Sequence, residues 1–268
     1  MKYTINKSDL QYSADGKTFR GDDSVLLNSA IDLTANTVWT KEGFSIEKLF
    51  SQSDFETFKV NTKSLLLKCW RDAGLSLSDD LSLDQYHQLV HTRDEHLMAI
   101  EKTKLLTAHS FPIDIVTLEK RISEICQEEL IVKNPYDNQS IFHFRVIRPQ
   151  QPDNNPLHRD VWLEDYKDCI NLYIPICGSN DLSSLIIIPE SHHWPESQIE
   201  RTLEGAHIGS SKYNVPAVTQ LDSGAKFVRP NPKENEVLVF SPYLIHGGSA
   251  NLNKDVTRIS IEVRLWRK

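Results

Sequence analysis

Near residue 130 the spacing of apolar side chains changes from helical to strand-like, and that single change leaves few architectures open. Before it, Phe55, Phe58, Thr62, Leu65, Leu66, Cys69 and Trp70 fall three and four apart, which predicts an amphipathic helix ended by Ala73 and Gly74. Leu83, Tyr86, Val90, Leu97 and Ile100 repeat the spacing less regularly. Ile115, Leu118, Ile122, Ile125 and Cys126 predict a third helical run, opening after Pro112 with Asp114 near its start. Beyond the change the period is two. Phe142, Phe144 and Val146 alternate with His143 and Arg145, and Ile170, Leu172, Ile174 and Ile176 alternate with Asn171 and Tyr173. SSLIIIP, EVLVFS and TRISIEVRLW complete a set of short strands separated by Gly, Pro, Asn and Asp. Helices first and many short strands afterwards predict an α+β fold, in which the helices cover one sheet of an antiparallel sandwich or barrel. The first fifty residues carry turn signals at DGK and RGDDS and are expected to be irregular apart from one short strand, wrapping the surface. One domain is expected over residues 1–268, with 1–135 as helical cover and N-terminal segment and 136–268 as the sheet core.

Charge and composition narrow the partners. The formal net charge is -7 and no Lys/Arg-rich run is present, which argues against nucleic acid and leaves room for a small anion in a locally basic pocket. No stretch approaches the run of about 18 apolar residues that spans a bilayer, and MKYTINKSDLQYS lacks a signal-peptide apolar core. A cytoplasmic protein acting on a small molecule, with no membrane partner, is therefore expected. RLWRK at the end is not a peroxisomal address. Cys69, Cys126, Cys169 and Cys177 show no CxxC spacing, so they are expected as free thiols rather than a zinc knuckle or a redox pair.

The chemistry lies in the strand half. In an extended segment residues i and i+2 share a face, so His158 and Asp160 of HRD can reach one ion together. An imidazole and a carboxylate are two-thirds of the facial triad that holds non-haem Fe(II) with positions left open for chemistry. The missing ligand is expected in His246, which follows the apolar run Val237 to Phe240 and precedes two glycines that let the backbone pass close to a metal. Alone, HRD is a weak signal, since such a tripeptide arises by chance and usually sits in a solvated loop. Arg258, Ser260, Glu262 and Arg264 share one face of the final strand, making it polar. Arg258 with Ser260 can bind a carboxylate, and a charge-assisted hydrogen bond of this kind contributes roughly 1.5–3 kcal/mol. That is enough to orient a dicarboxylate such as 2-oxoglutarate whose other end chelates the metal.

Together, HRD at 158–160, His246 and Arg258-Ile-Ser260 resemble the Fe(II)/2-oxoglutarate-dependent dioxygenases. SSLIIIPESHHW, residues 183–194, is similar to a stretch of the phytanoyl-CoA dioxygenase-like branch, with Glu190 standing where a glycine is usual. The resemblance covers about residues 140 to 266. It implies a double-stranded β-helix, or jelly roll, with helices packed on the outer sheet. It further implies Fe(II) held by His158, Asp160 and His246, with 2-oxoglutarate and O2 as co-substrates and the far carboxylate of 2-oxoglutarate on Arg258 and Ser260. Because Asp160 is present, hydroxylation with release of succinate and CO2 is favoured over halogenation. Tyr173 and Asn171 face the expected barrel interior and are candidate contacts to 2-oxoglutarate or substrate. Arg145 is a candidate co-substrate or substrate anchor, or else a strand-edge charge. Trp162 lines the pocket or packs. Arg264 continues the polar face as a candidate substrate contact, or pairs with Glu262. His192 or His193 takes a turn-stabilising role, and His87 and His91 lie on a solvated helix face. The expected substrate is a small polar metabolite, a sugar or natural-product intermediate, rather than an acyl-CoA. Two other classes compete: a non-oxidative metal-binding jelly roll, such as a sugar isomerase or small-molecule binding module, and a protein hydroxylase with an open peptide groove.

Overall fold

The computed structural model describes residues 1–104, 106–152, 155–209, 211–222 and 224–268. Helix α1 runs over Gln52–Asp72, as its apolar spacing predicts. The Ser51 hydroxyl accepts from the Asp54 backbone N–H and satisfies one of the orphan donors of its first turn. The second apolar run is not one helix. It divides into a 3-10 turn at Leu83–Gln88 and helix α2 at Arg93–Glu101, because Thr92 and Glu95 form a reciprocal capping box that starts a new helix. Helix α3, Ile115–Cys126, begins at an Asp114 cap and ends at Gln127 in a left-handed conformation.

The strands build two facing sheets. The first has six, in the order Phe44–Lys48, Glu236–Phe240, Cys169–Cys177 and Arg258–Arg267, with Phe142–Ile147 and Leu130–Ile131 both on the outer edge of the last. All its pairs are antiparallel. The second sheet is more broken. Thr18–Arg20, Ile199–Thr202 and Val218–Leu221 lie side by side, and Val218 N–H donates to Leu157 O at 2.8 Å. From there pairing continues through His158 to His246–Gly247, then Ile186–Ile187 and Val228. This is the double-stranded β-helix.

Alternation along the strands sorts their two faces. Ile259, Ile261, Val263 and Leu265 join Phe142, Phe144, Val146, Leu172 and Val239 in one apolar layer with Phe58, Leu66, Trp70, Leu118 and Ile122 of the helices. The opposite face of the same sheet meets the second sheet, where Tyr173, Leu238 and Phe240 pack on Leu185, Ile187 and Leu244. The interior of the sandwich therefore keeps one apolar region, and the remainder of the inward face carries polar residues.

The N-terminal segment departs from expectation. Lys2–Ile5 and Ser8–Gln11 form a hairpin whose two loop residues, Asn6 and Lys7, both have positive φ. Its Tyr3 and Ile5 cover the outer face of the second sheet. Thr18–Arg20 and Phe44–Lys48 add an edge strand to each sheet, so this segment extends the sandwich as well as wrapping it. Among the described residues no helix is long and apolar enough to cross a membrane.

Candidate metal centre

His158 and His246 are cross-strand neighbours, each donating its backbone N–H to the other's carbonyl at 2.9 Å. Their flanking residues Leu157 and Ile245 point outward, beneath the N-terminal hairpin. By alternation both imidazoles point inward, and their ring centroids are 4.4 Å apart. Asp160 is turned onto the same ion position because its backbone N–H donates to Pro242 O at 3.0 Å and a 3-10 turn starts there, Asp160–Trp162. Arg159, between the two, faces away and is fully buried against Glu196, Ser191 O and Trp194 O. It ties HRD to the PESHHW loop, a structural role that sequence reading had not assigned to it.

The hydrogen bonds determine which ring nitrogens are available. His158 Nδ1 lies 2.7 Å from Pro156 O and His246 Nδ1 lies 3.0 Å from Leu244 O. A carbonyl only accepts, so each Nδ1 carries the proton and, in the neutral ring, each Nε2 presents a lone pair. Those lone pairs face Asp160 Oδ1 at 3.2 Å and 3.8 Å. Burial, with His158 beside it, pulls His246 down to about 4, which keeps its ring neutral. Burial acts to raise the Asp160 pKa, yet the Arg264 guanidinium holds it well below the usual carboxylate range. Three acceptors, all within 4.8 Å of one another and buried, thus converge with no donor among them. A cation fits that arrangement, and two imidazole nitrogens with one carboxylate oxygen suit Fe(II).

The three residues line a narrow, partly open cavity. Asn171, Tyr173, Glu262 and Arg264 form its polar floor, and Leu185 and Phe240 an apolar end. Gly247 also lines it, at φ 111°. Arg258 and Ser260 are fully buried on the same face of the final strand, with Arg258 Nη1 donating to Ser260 Oγ at 3.2 Å and its guanidinium 5.8 Å from the Tyr173 ring centre. The Tyr173 hydroxyl is 2.8 Å from Ser179 Oγ.

Other candidates are arranged differently from the sequence reading. Arg264 does not pair with Glu262. Its Nε and Nη2 both donate to Asp160 Oδ2, at 3.0 Å and 2.8 Å. Glu262 pairs instead with Arg145 Nε at 2.9 Å, so Arg145 is neither a bare strand-edge charge nor an uncommitted anchor. Arg145 overcomes the effect of burial and holds the Glu262 carboxyl at about 2. Trp162, a candidate for the pocket wall, packs elsewhere: its Nε1 donates to Glu196 Oε2 at 3.1 Å and Arg201 stacks on its ring at 4.7 Å. His192 is buried with Nε2 2.9 Å from Thr40 O, bracing the loop. Glu190 adopts φ 63°, the left-handed conformation a glycine takes readily, so the turn forms without the glycine. His87 is half-buried, with Nδ1 3.0 Å from Thr257 Oγ1, and His91 is exposed.

A profile of the family described as phytanoyl-CoA dioxygenase (PhyH) matches residues 46–260. No protein of curated function matches the sequence. Among solved structures, AviO1 from Streptomyces viridochromogenes Tue57 is 14% identical with a TM-score of 0.50, covering 89% of this chain and 96% of that one. The non-heme monooxygenase ThoJ, in its apo form, is 11% identical with a TM-score of 0.51, covering 88% and 77%. EctD from S. alaskensis, solved with 2-oxoglutarate and 5-hydroxyectoine, is 13% identical with a TM-score of 0.48, covering 96% and 87%. At these identities the likeness is one of fold.

Proposed function

Because the chain belongs to the phytanoyl-CoA dioxygenase family, we propose that it uses Fe(II), 2-oxoglutarate and O2 to hydroxylate a small polar metabolite, a sugar or natural-product intermediate, releasing succinate and CO2. The observation that carries this reading is the convergence of His158 Nε2, His246 Nε2 and Asp160 Oδ1 at the wall of a cavity. These three residues would hold the iron. When bound, iron with 2-oxoglutarate and O2 supplies the oxidising power to take a hydrogen atom from an unactivated C–H bond.

The chain's own residues bind and orient. Arg258 and Ser260 receive the far carboxylate of 2-oxoglutarate, buried where a charge-assisted bond is screened little by solvent. Tyr173 offers the face of its ring there, its hydroxyl being engaged with Ser179. Arg145 neutralises Glu262, which lets a dianion share the floor with a carboxylate. Asn171 Oδ1 is buried without a hydrogen-bond partner and lines the cavity, an acceptor for a hydroxyl or amine of the substrate. Such polar groups beside the metal position support a polar substrate, while Phe240 and Leu185 exclude water from the apolar end.

The test is an anaerobic titration of the Fe(II)-loaded protein with 2-oxoglutarate, following the weak visible charge-transfer band of the chelate. The band is expected in wild type, and Arg258→Ala should need roughly 10- to 100-fold more 2-oxoglutarate, the equivalent of one charge-assisted hydrogen bond. Absence of the band from folded, iron-replete wild type overturns the oxygenase reading.

A further inference from the structure

Resting on that reading of the iron site, we propose that Arg264 and Asn171 are positioning residues that fix Asp160 as a one-oxygen ligand. An arginine usually meets a carboxylate fork to fork, one N–H on each oxygen. Arg264 does not. Its Nε and Nη2 both donate to Oδ2, and Asn171 Nδ2 adds a third donor to that atom at 2.9 Å. Three N–H groups occupy Oδ2, while Oδ1 is left to face the two imidazoles. The sequence of the sheet makes this possible, since Arg264 and Asn171 are directly opposed on adjacent antiparallel strands. Asp160 reaches them from the facing sheet. The guanidinium is itself backed by the Tyr166 ring, 4.3 Å away, and its side chain is 19% exposed.

The consequence concerns how many positions on the ion remain open. A carboxylate free at both oxygens can chelate and take two positions. With Oδ2 engaged by three donors, Asp160 would offer an ion Oδ1 alone, which would leave more of the ion open to a 2-oxo acid and O2. Arg264 therefore acts through Asp160 rather than on the substrate, although it lines the same cavity.

The experiment titrates Mn(II) into metal-free wild type, Arg264→Gln, Arg264→Lys and Asn171→Ala, counting free Mn(II) by its EPR signal, and records visible spectra of the Co(II)-loaded forms. Folding is checked by thermal melts. Arg264→Gln is expected to bind Mn(II) about 10- to 100-fold more weakly, with shifted Co(II) ligand-field bands as Oδ2 becomes free to coordinate. Arg264→Lys should recover part of the affinity, and Asn171→Ala should shift the bands with a smaller affinity loss. Native affinity and an unchanged Co(II) spectrum in folded Arg264→Gln overturn the proposal. If that variant does not fold, Asn171→Ala decides: unchanged bands sink the assignment, shifted bands support it. Failure of wild type itself to bind Mn(II) or Co(II) removes the metal site, a separate outcome from failure of the clamp.

Discussion

Gly247 shows how closely single residues hold this centre. At φ 111° it occupies a conformation that side chains rarely adopt, and a β-carbon there would lie 2.4 Å from Pro156 O and 3.1 Å from His158 Nδ1. Pro156 O is the acceptor that orients the His158 ring. A Gly247→Ala change must therefore displace the very hydrogen bond that selects the metal-facing nitrogen. Such backbone strain costs of the order of 1–3 kcal/mol, and disturbing an outer-sphere partner of a metal-ligating histidine typically costs about 10-fold or more in affinity. Gly247→Ala should thus lose both stability in urea and Mn(II) affinity. A variant that loses stability alone would show that the Pro156 carbonyl does not govern the ring. Glu190 is the contrasting case: it holds a left-handed φ of 63° with its side chain exposed, so the position usually given to glycine takes glutamate here.

At the scale of elements, the two faces of the first sheet separate stability from chemistry. Leu118 of α3 is fully buried in the layer between helices and sheet, and the inward face of the sheet carries Arg258, Ser260, Glu262 and Arg264. Leu118→Ala should cost about 2–5 kcal/mol of stability and leave Mn(II) affinity in the folded protein unchanged, as read by denaturation and titration side by side. A parallel loss of affinity would mean that the helical layer shapes the centre directly. The same division explains what was legible in sequence. Alternation of period two shows on its own that Arg258, Ser260, Glu262 and Arg264 share a face, and HRD shows that His158 and Asp160 do. The partners on that face were not legible, because they depend on strand order and register. Arg264 meets Asp160 since Asn171 lies opposite it, and Glu262 falls to Arg145 through the adjacent Phe142–Ile147 strand. Phe44–Lys48 went unread for another reason: it is an edge strand with no fully buried residue, and its alternation, Phe44 and Ile46 against Ser45 and Glu47, rests on only two apolar side chains. The split of the second helical run turned on one local device, the Thr92–Glu95 capping box, which a count of apolar spacings passes over.

Across the whole molecule, buried histidines should set the response to acid. Burial pulls His96, His143 and His192 each from 6.5 down to about 4; Arg148 adds to this at His96, and Arg145 and Arg264 at His143. At His192 a hydrogen bond from Nε2 to Thr40 O opposes the shift without cancelling it, and Nδ1 has no partner to receive a proton's N–H. The unfolded chain binds protons at these sites near pH 6.5 while the folded protein resists until about 4, so the unfolded state holds more protons throughout that window. Stability then falls as pH drops from about 6.5 to about 4, by at most about 1.4 kcal/mol per pH unit for each group, and by less for the partly exposed His96 and His143. The carboxylates act lower. Glu262, held at about 2 against the effect of its burial by Arg145, contributes stability present above its ordinary value of 4.5 and lost only as pH falls toward 2. Between pH 6.5 and 4.5 the slope belongs to the histidines. Urea unfolding with chelator present, at pH 7, 6 and 5, should show declining stability, and His192→Gln, which keeps a donor for Thr40 O, should flatten the decline by up to one proton. An equal slope in wild type and variant would place the acid sensitivity outside the loop that braces the metal-binding strands.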